Sequence, residues 1–66
     1  MNRIPVDSSN IVSIGYESGL LEVEFKNGTY QYPGVSEELA GAFMASDSKG
    51  KFFSQFIRPG FQGEKV

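Results

Sequence analysis

Two segments in the first half of the chain alternate apolar and polar side chains, as strands with one buried face do. The first segment is IVSIGY (residues 11–16) and the second is LLEVEF (residues 20–25). Ser18 and Gly19 lie between the two segments and suit a two-residue hairpin turn. The pairs that this turn predicts are Tyr16 with Leu21, Ile14 with Val23, and Val12 with Phe25. The sequence therefore predicts an antiparallel hairpin whose six paired side chains share one apolar face.

A second turn follows at once, because Asn27 and Gly28 can both adopt the positive φ of a type I′ turn. This turn predicts a third strand at residues 29–32, and Pro33 and Gly34 then end the sheet. The pairs that it predicts are Phe25 with Tyr30 and Val23 with Tyr32. Both tyrosines are therefore expected in the core, against the second helix, and not at a surface where they could stack on bases.

The first of two predicted helices begins after the sheet, with Ser36 as its N-cap. Glu37 and Glu38 lie in the first turn, where the helix dipole favours negative charge. The apolar residues that then recur at helical spacing are Leu39, Ala42 and Phe43.

The second predicted helix begins near SDS (residues 46–48), where Asp47 or Ser48 can act as its cap. Its apolar positions are Phe52, Phe53, Phe56 and Ile57, and Arg58-Pro59-Gly60 ends it. The remaining residues, FQGEKV (61–66), are mostly polar and are expected to be loosely held.

These elements predict one α+β domain over residues 1–66, with a three-stranded antiparallel meander followed by two short helices packed on one face (βββαα). The opposite face is expected to be solvated, since polar side chains alternate with the buried ones. Its residues are Ser13, Glu22, Glu24 and Gln31. Ile11 and Leu20 are expected to be partly exposed at strand ends, and DSSN (residues 7–10) is expected to shape the loop into the first strand.

Composition excludes several classes of function. The sequence contains no cysteine and no histidine, so it predicts no disulfide, no ordinary zinc site and none of the familiar hydrolytic triads. We therefore expect no catalytic residue, no enzymatic activity, no cofactor and no metal. The apolar runs are short and the N-terminal residues lack a hydrophobic secretory core, so a cytoplasmic protein without a membrane partner is expected.

Charge is unevenly distributed along the chain, although the net charge is only −2. Residues 1–48 contain two basic and seven acidic side chains, whereas residues 49–66 contain four basic and one acidic. Ser48, Lys49, Gly50 and Lys51 would combine free backbone N–H groups with two ammonium groups at a helix start, which favours a bound anion. Arg58 and Lys26 are predicted further contacts for an extended anion such as RNA. The alternative is that these lysines are solvated and only flank a core helix.

Several segments in order resemble the KTSC domain, a module of about this length. They are SSNI (8–11), IGY (14–16), LEVEFKNG (21–28), YQY (30–32) and SKGKFF (48–53). The domain also occurs at the C-terminus of some lysyl-tRNA synthetases, and RNA binding has been suggested for it. The chain departs from the pattern at Ser54, Gln55 and Phe56, where many members have asparagine, a basic residue and histidine. The resemblance implies a small non-enzymatic binding module with RNA as a partner. The alternative is a protein–protein interaction module that uses a sheet edge or exposed aromatic side chains.

Overall fold

The computed structural model describes residues 2–66 and has the predicted α+β class, but its sheet contains five strands and not three. All neighbouring strands are antiparallel and lie in chain order across the sheet. The strands are β1 (Arg3–Pro5), β2 (Ile11–Glu17), β3 (Leu20–Phe25), β4 (Gly28–Pro33) and β5 (Glu64–Lys65). The helical elements between β4 and β5 are α1 (Glu37–Ala45), α2 (Lys49–Phe52) and a π-helix (Phe53–Ile57) that continues α2.

The two additional strands form the edges of the sheet and are contributed by the two ends of the described chain. β1 has three residues and β5 has two, which is too short for an alternating pattern to be recognised in sequence. The expectation that residues 61–66 are loosely held is wrong. β5 pairs with β4, and the N–H of Val66 donates a 2.9 Å hydrogen bond to the carbonyl of Thr29.

The hairpin of β2 and β3 has the predicted turn. Ser18 and Gly19 have φ of 51° and 83°, and Tyr16 and Ile14 lie opposite Leu21 and Val23. These positive φ angles match a type I′ turn, whose twist suits a two-residue hairpin.

The third predicted pair in this hairpin is wrong, because β2 contains a bulge at Val12. Ile11, and not Val12, lies opposite Phe25, and the register shifts by one residue between Ile11 and Ser13. An extra residue at a bulge turns the preceding side chain to the other face of a strand. Ile11 is therefore 2% exposed, whereas Val12 is 40% exposed.

The β3–β4 hairpin differs from the prediction by two residues. Phe25 lies opposite Gly28, so the two-residue connection is Lys26-Asn27 and not Asn27-Gly28. Gly28 has a φ of 152° within the first position of β4. Because side chains alternate with a period of two, a shift of two residues leaves each on its predicted face. Tyr32 therefore still faces the core, opposite Leu21.

Helix α1 begins as predicted. The Oγ of Ser36 accepts a 3.1 Å hydrogen bond from the N–H of Leu39, which satisfies a donor that the first helical turn leaves free. Ala40 and Phe43 are the buried positions of this helix. Ala42, predicted on the apolar side, is exposed because the buried side of this helix passes through Ala40 instead.

The second helix widens into a π-helix, which changes the side chains that it buries. The N–H of Arg58 donates a 2.9 Å hydrogen bond to the carbonyl of Phe53, five residues earlier. The prediction assumed α-helical spacing over this whole segment. Phe53 and Ile57 are buried as predicted, but Phe56 is 54% exposed and lies 4.8 Å, centroid to centroid, from Phe52.

The core lies between one face of the sheet and these helices. Its buried apolar residues are Ile11, Ile14, Leu21, Val23, Tyr32, Val35, Ala40, Phe43, Phe53 and Ile57. Within residues 2–66, no helix is long and apolar enough to cross a membrane.

The opposite face of the sheet is polar, as predicted, but it is less solvated than expected. Ser13 is only 7% exposed and donates a 2.8 Å hydrogen bond to Glu24. Gln31 donates a 2.8 Å hydrogen bond to Glu22, and the Arg3 guanidinium lies 3.4 Å from Glu22 and 3.7 Å from Glu24. The strand β1, which the sequence did not reveal, supplies this arginine.

Candidate ligand-binding clefts

A cleft of about 620 Å³ opens beside the connection between β3 and β4. Its lining residues are Asn10, Phe25, Lys26, Asn27, Tyr30, Tyr32, Arg58, Phe61 and Gly63. We call it the aromatic cleft. Four of its nine lining residues are aromatic and two are cationic, and the described lining includes no carboxylate.

Contacts between aromatic rings hold the floor of the aromatic cleft in place. The Phe25 ring meets the rings of Tyr30 and Phe53 edge to face, with centroids 5.8 and 5.1 Å away. Tyr32 meets Phe53 in the same way at 5.4 Å. Such edge-to-face contacts are favourable arrangements of aromatic pairs. Phe25, Tyr30 and Phe61 are each half-buried, so part of each ring is accessible.

The prediction that both tyrosines lie in the core is confirmed for Tyr32, which is 6% exposed. Tyr30 is only half-buried, at the margin of the core, and its ring contacts that of Phe25. Burial raises the pKa of the Tyr32 phenol above its ordinary value, and the positive charge of Arg58 partly opposes this effect. The phenol therefore remains protonated at neutral pH.

The C-terminal segment forms one wall of the aromatic cleft. Gly63 crosses the Tyr32 ring so closely that a Cβ at this position would lie 2.5 Å from Tyr32 Cε2. Only glycine allows the backbone to approach the ring at this distance. Two residues after Gly63, the Lys65 side chain lies over Gly28, where a Cβ would be 2.9 Å from Lys65 Cε. The segment thus adds Phe61 to the cleft and a further ammonium group beside the hairpin.

Arg58 reaches the aromatic cleft from the end of the π-helix. Its Cζ lies 5.6 Å from the centroid of the Phe53 ring, within the range of a cation–π interaction. The π-helical hydrogen bond to Phe53 fixes the backbone at this point. Arg58 and Lys26, which are far apart in sequence, therefore line the same cleft.

A second cleft, of about 310 Å³, contains the predicted helix-start residues. Its lining residues are Asp7, Ser8, Ser9, Asp47, Ser48, Lys49, Gly50 and Lys51. We call it the lysine cleft. The prediction that the SKGK segment lies at the start of a helix is confirmed, since α2 begins at Lys49 with Ser48 at the N-cap position. The sequence did not reveal that the loop before β2 lies opposite this segment.

The charges of the lysine cleft are balanced. Its described lining contains two carboxylates, from Asp7 and Asp47, and two ammonium groups, from Lys49 and Lys51. The ammonium group of Lys49 also donates a hydrogen bond to the carbonyl of Ser46. A helix of four residues has little dipole to add, and Ser48 makes no side-chain cap hydrogen bond. The arrangement therefore favours an anion less than the aromatic cleft does.

The four predicted basic residues are divided between the clefts, with Lys26 and Arg58 in one and Lys49 and Lys51 in the other. Sequence reasoning missed the other seven lining residues of the aromatic cleft, which are Asn10, Phe25, Asn27, Tyr30, Tyr32, Phe61 and Gly63. Phe61 carried a usable signal, since it is an isolated aromatic residue in an otherwise polar segment.

Within residues 2–66, no group of three or more acidic side chains is arranged to hold a metal ion.

The family of the chain follows from comparison with known proteins. A sequence model of the KTSC domain matches residues 7–61. The chain belongs to the KTSC domain family. A crystal structure of a KTSC domain protein from Yersinia pestis is similar to this KTSC chain, with a TM-score of 0.93 and 46% sequence identity. That similarity covers 98% of this chain and 96% of the Yersinia chain.

Two bacterial relatives are similar in sequence over most of the KTSC chain. An uncharacterized protein from Stutzerimonas stutzeri (strain A1501) is 40% identical over 62 residues, which cover 89% of this chain and 87% of that protein. A protein from Tsukamurella paurometabola is 34% identical over 61 residues, which cover 88% of this chain and 91% of that protein. The resemblance predicted from the ordered sequence segments is confirmed.

Proposed function

We propose that this KTSC chain is a small non-enzymatic binding module that binds single-stranded RNA in the aromatic cleft. The observation that supports this proposal most is the combination of accessible aromatic rings with Lys26 and Arg58 in one cleft. Proteins that bind single strands stack bases on aromatic side chains and contact phosphates with basic ones. The absence of cysteine and histidine from the sequence supports a non-enzymatic role. A cytoplasmic location belongs to the same proposal.

The choice between the two clefts rests on electrostatics. Phosphate is attracted by unbalanced positive charge, and opposite charges close to a lysine weaken that attraction. The aromatic cleft has two cations without a carboxylate in its described lining, whereas the lining of the lysine cleft contains two aspartates as well as two lysines. The predicted contribution of Ser48, Lys49, Gly50 and Lys51 remains a second candidate position for the RNA backbone.

Two double variants with the same change in charge test the position of the RNA. We expect Lys26→Gln/Arg58→Gln to bind a short unstructured RNA about tenfold more weakly than the unaltered protein, a change that fluorescence anisotropy can measure. Lys49→Gln/Lys51→Gln, the matched control, removes two positive charges elsewhere and is expected to have a smaller effect. If the control variant loses binding and the cleft variant retains it, the RNA binds at the lysine cleft instead.

The salt dependence of RNA affinity provides a second test of the same contacts. For single strands, each neutralised phosphate contributes about −0.7 to the slope of log K against log salt. Loss of Lys26 and Arg58 should therefore flatten the slope in addition to lowering the affinity. Equal slopes for the unaltered protein and the cleft variant would exclude direct phosphate contacts by these two residues.

A protein–protein interaction module is the second candidate function, and Phe56 is the observation that favours it. Its ring is 54% exposed and forms a pair with Phe52 on the surface of the helical layer. Association through such a surface buries apolar area and does not weaken with salt as phosphate binding does. A pull-down from cell lysate with and without nuclease separates the two functions, since an RNA-dependent partner is lost on nuclease treatment.

A further inference from the structure

We infer that the ligand unit of the aromatic cleft is a single nucleotide, with the base against the aromatic rings and the phosphate between Lys26 and Arg58. This inference rests on the proposed function and specifies the chemistry of its site. The shared chemistry is that of a nucleoside monophosphate. Its source is either a free nucleotide or one unstacked nucleotide of an RNA strand.

The size of the cleft supports one nucleotide and not a run of them. Pockets for a single small ligand enclose about 300–1,000 Å³. The aromatic cleft, with about 620 Å³, lies within this range. Surfaces that bind several nucleotides without sequence preference instead present a basic groove along which successive bases stack. The described lining of this cleft contains two basic residues, Lys26 and Arg58, and the two lysines near the helix start line a separate cleft.

The chemical composition of the lining divides into three parts, as recognition of a nucleotide requires. Phe25, Tyr30 and Phe61 present apolar ring surface for a base. Lys26 and Arg58 supply positive charge for a phosphate, and the guanidinium group can donate two parallel hydrogen bonds to it.

The third part consists of two carboxamides, from Asn10 and Asn27. Neither side chain makes a hydrogen bond to another residue of the described chain. Asn10 is positioned by its own backbone, because its carbonyl accepts a 3.2 Å hydrogen bond from the N–H of Lys26. A carboxamide both donates and accepts, so it can match the donor and acceptor pattern on the edge of an unpaired base.

The wall formed by the C-terminal segment explains how so small a domain produces a bounded site. Gly63 fits directly on the Tyr32 ring, and the β5 pairing with β4 holds this segment against the sheet. Without that wall, the rings would lie on an open sheet edge. The inference therefore predicts that nucleotide binding needs the C-terminal segment in place.

Titration of the ¹⁵N-labelled protein with AMP, UMP, adenosine and inorganic phosphate tests the inference. We expect AMP or UMP to shift the amide signals of residues 25–32 and 58–63, and to bind at least about tenfold more tightly than adenosine or phosphate alone. Lys26→Gln/Arg58→Gln should lower the affinity for the nucleotide but leave that for adenosine unchanged. Asn10→Ala/Asn27→Ala should reduce the difference between AMP and UMP and leave the salt slope unchanged.

Parallel titrations with a short RNA show whether the nucleotide is free or part of an RNA strand. They also separate failure of the single-nucleotide inference from failure of the RNA proposal. If mononucleotides bind in the cleft and RNA does not, the single-nucleotide inference holds for a free nucleotide and the RNA proposal fails. If RNA binds in a manner that depends on Lys26 and Arg58 while no mononucleotide shifts the cleft signals, the inference is wrong and the RNA proposal stands. If neither ligand shifts these signals, both are wrong.

Discussion

At the scale of single residues, close contacts that the sequence does not reveal decide the shape of the aromatic cleft. Gly63 appears in sequence as one more glycine in a polar segment, but it is the point at which the backbone crosses the Tyr32 ring. Gly60, three residues earlier, has open space at the position of a Cβ. The same residue type thus has different roles within one segment.

Gly63→Ala should destabilise the protein, because its Cβ would overlap the Tyr32 ring. Overpacking of this kind costs about 1–3 kcal/mol, and urea denaturation can measure the loss. Gly60→Ala is the matched control and should change the free energy of unfolding by no more than about 0.5 kcal/mol. Equal effects of the two variants would mean that the C-terminal segment does not lie against Tyr32.

Tyr32 itself should make a large contribution to stability. It is 6% exposed and contacts Phe53, so Tyr32→Ala should cost about 3 kcal/mol or more. Tyr30→Ala should cost less, since Tyr30 is only half-buried. A smaller loss from Tyr32→Ala than from Tyr30→Ala in urea denaturation would contradict the burial described.

The raised pKa of Tyr32 predicts a loss of stability at alkaline pH. Above pH 10 the phenol ionises in the unfolded chain before it ionises in the folded protein, so the unfolded state binds fewer protons and the free energy of unfolding falls. Below pH 10 this group should cause no change. Tyr32→Phe should reduce the alkaline dependence, which denaturation at a series of pH values can measure, and an unchanged dependence would contradict the assignment.

At the scale of elements, the sequence predicted which faces are apolar more reliably than it predicted register. The Ser18-Gly19 turn was correct because its two residues take the positive φ angles that its sequence suggests. The second turn lies one residue earlier than predicted. Gly28 has its positive φ at the first position of β4 and not in the turn, and the Lys65 side chain lies over it. Neither the bulge at Val12 nor the π-helix has a local sequence signal, since each depends on packing against other elements.

The stability losses expected for substitutions in the π-helix differ from those expected for an α-helix with the same sequence. Phe53→Ala should cost about 3–5 kcal/mol, because this ring is 3% exposed and contacts three aromatic neighbours. Phe56→Ala, the matched substitution three residues later, should cost much less, because Phe56 is 54% exposed. The α-helical spacing assumed from the sequence predicts similar losses for both, so comparable values in urea denaturation would contradict the π-helical arrangement.

At the scale of the whole molecule, the folding of the C-terminal segment onto the sheet completes the candidate site. The core elements and the SKGK segment could be predicted from local patterns. The aromatic cleft could not, because its lining comes from the loop before β2, the β3–β4 hairpin, the end of the π-helix and the C-terminal segment. The fold divides the positive charge that the sequence placed near the C-terminus, and Lys26 and Arg58 line one cleft together with accessible aromatic rings.

The most direct test of the central claim is to map the position of RNA on the unaltered protein by NMR. We expect a short unstructured RNA at low salt to shift the amide signals of residues 25–32 and 58–63, while those of residues 47–51 change little. Shifts confined to residues 47–51, or no shifts at either cleft, would contradict the claim that the aromatic cleft binds RNA.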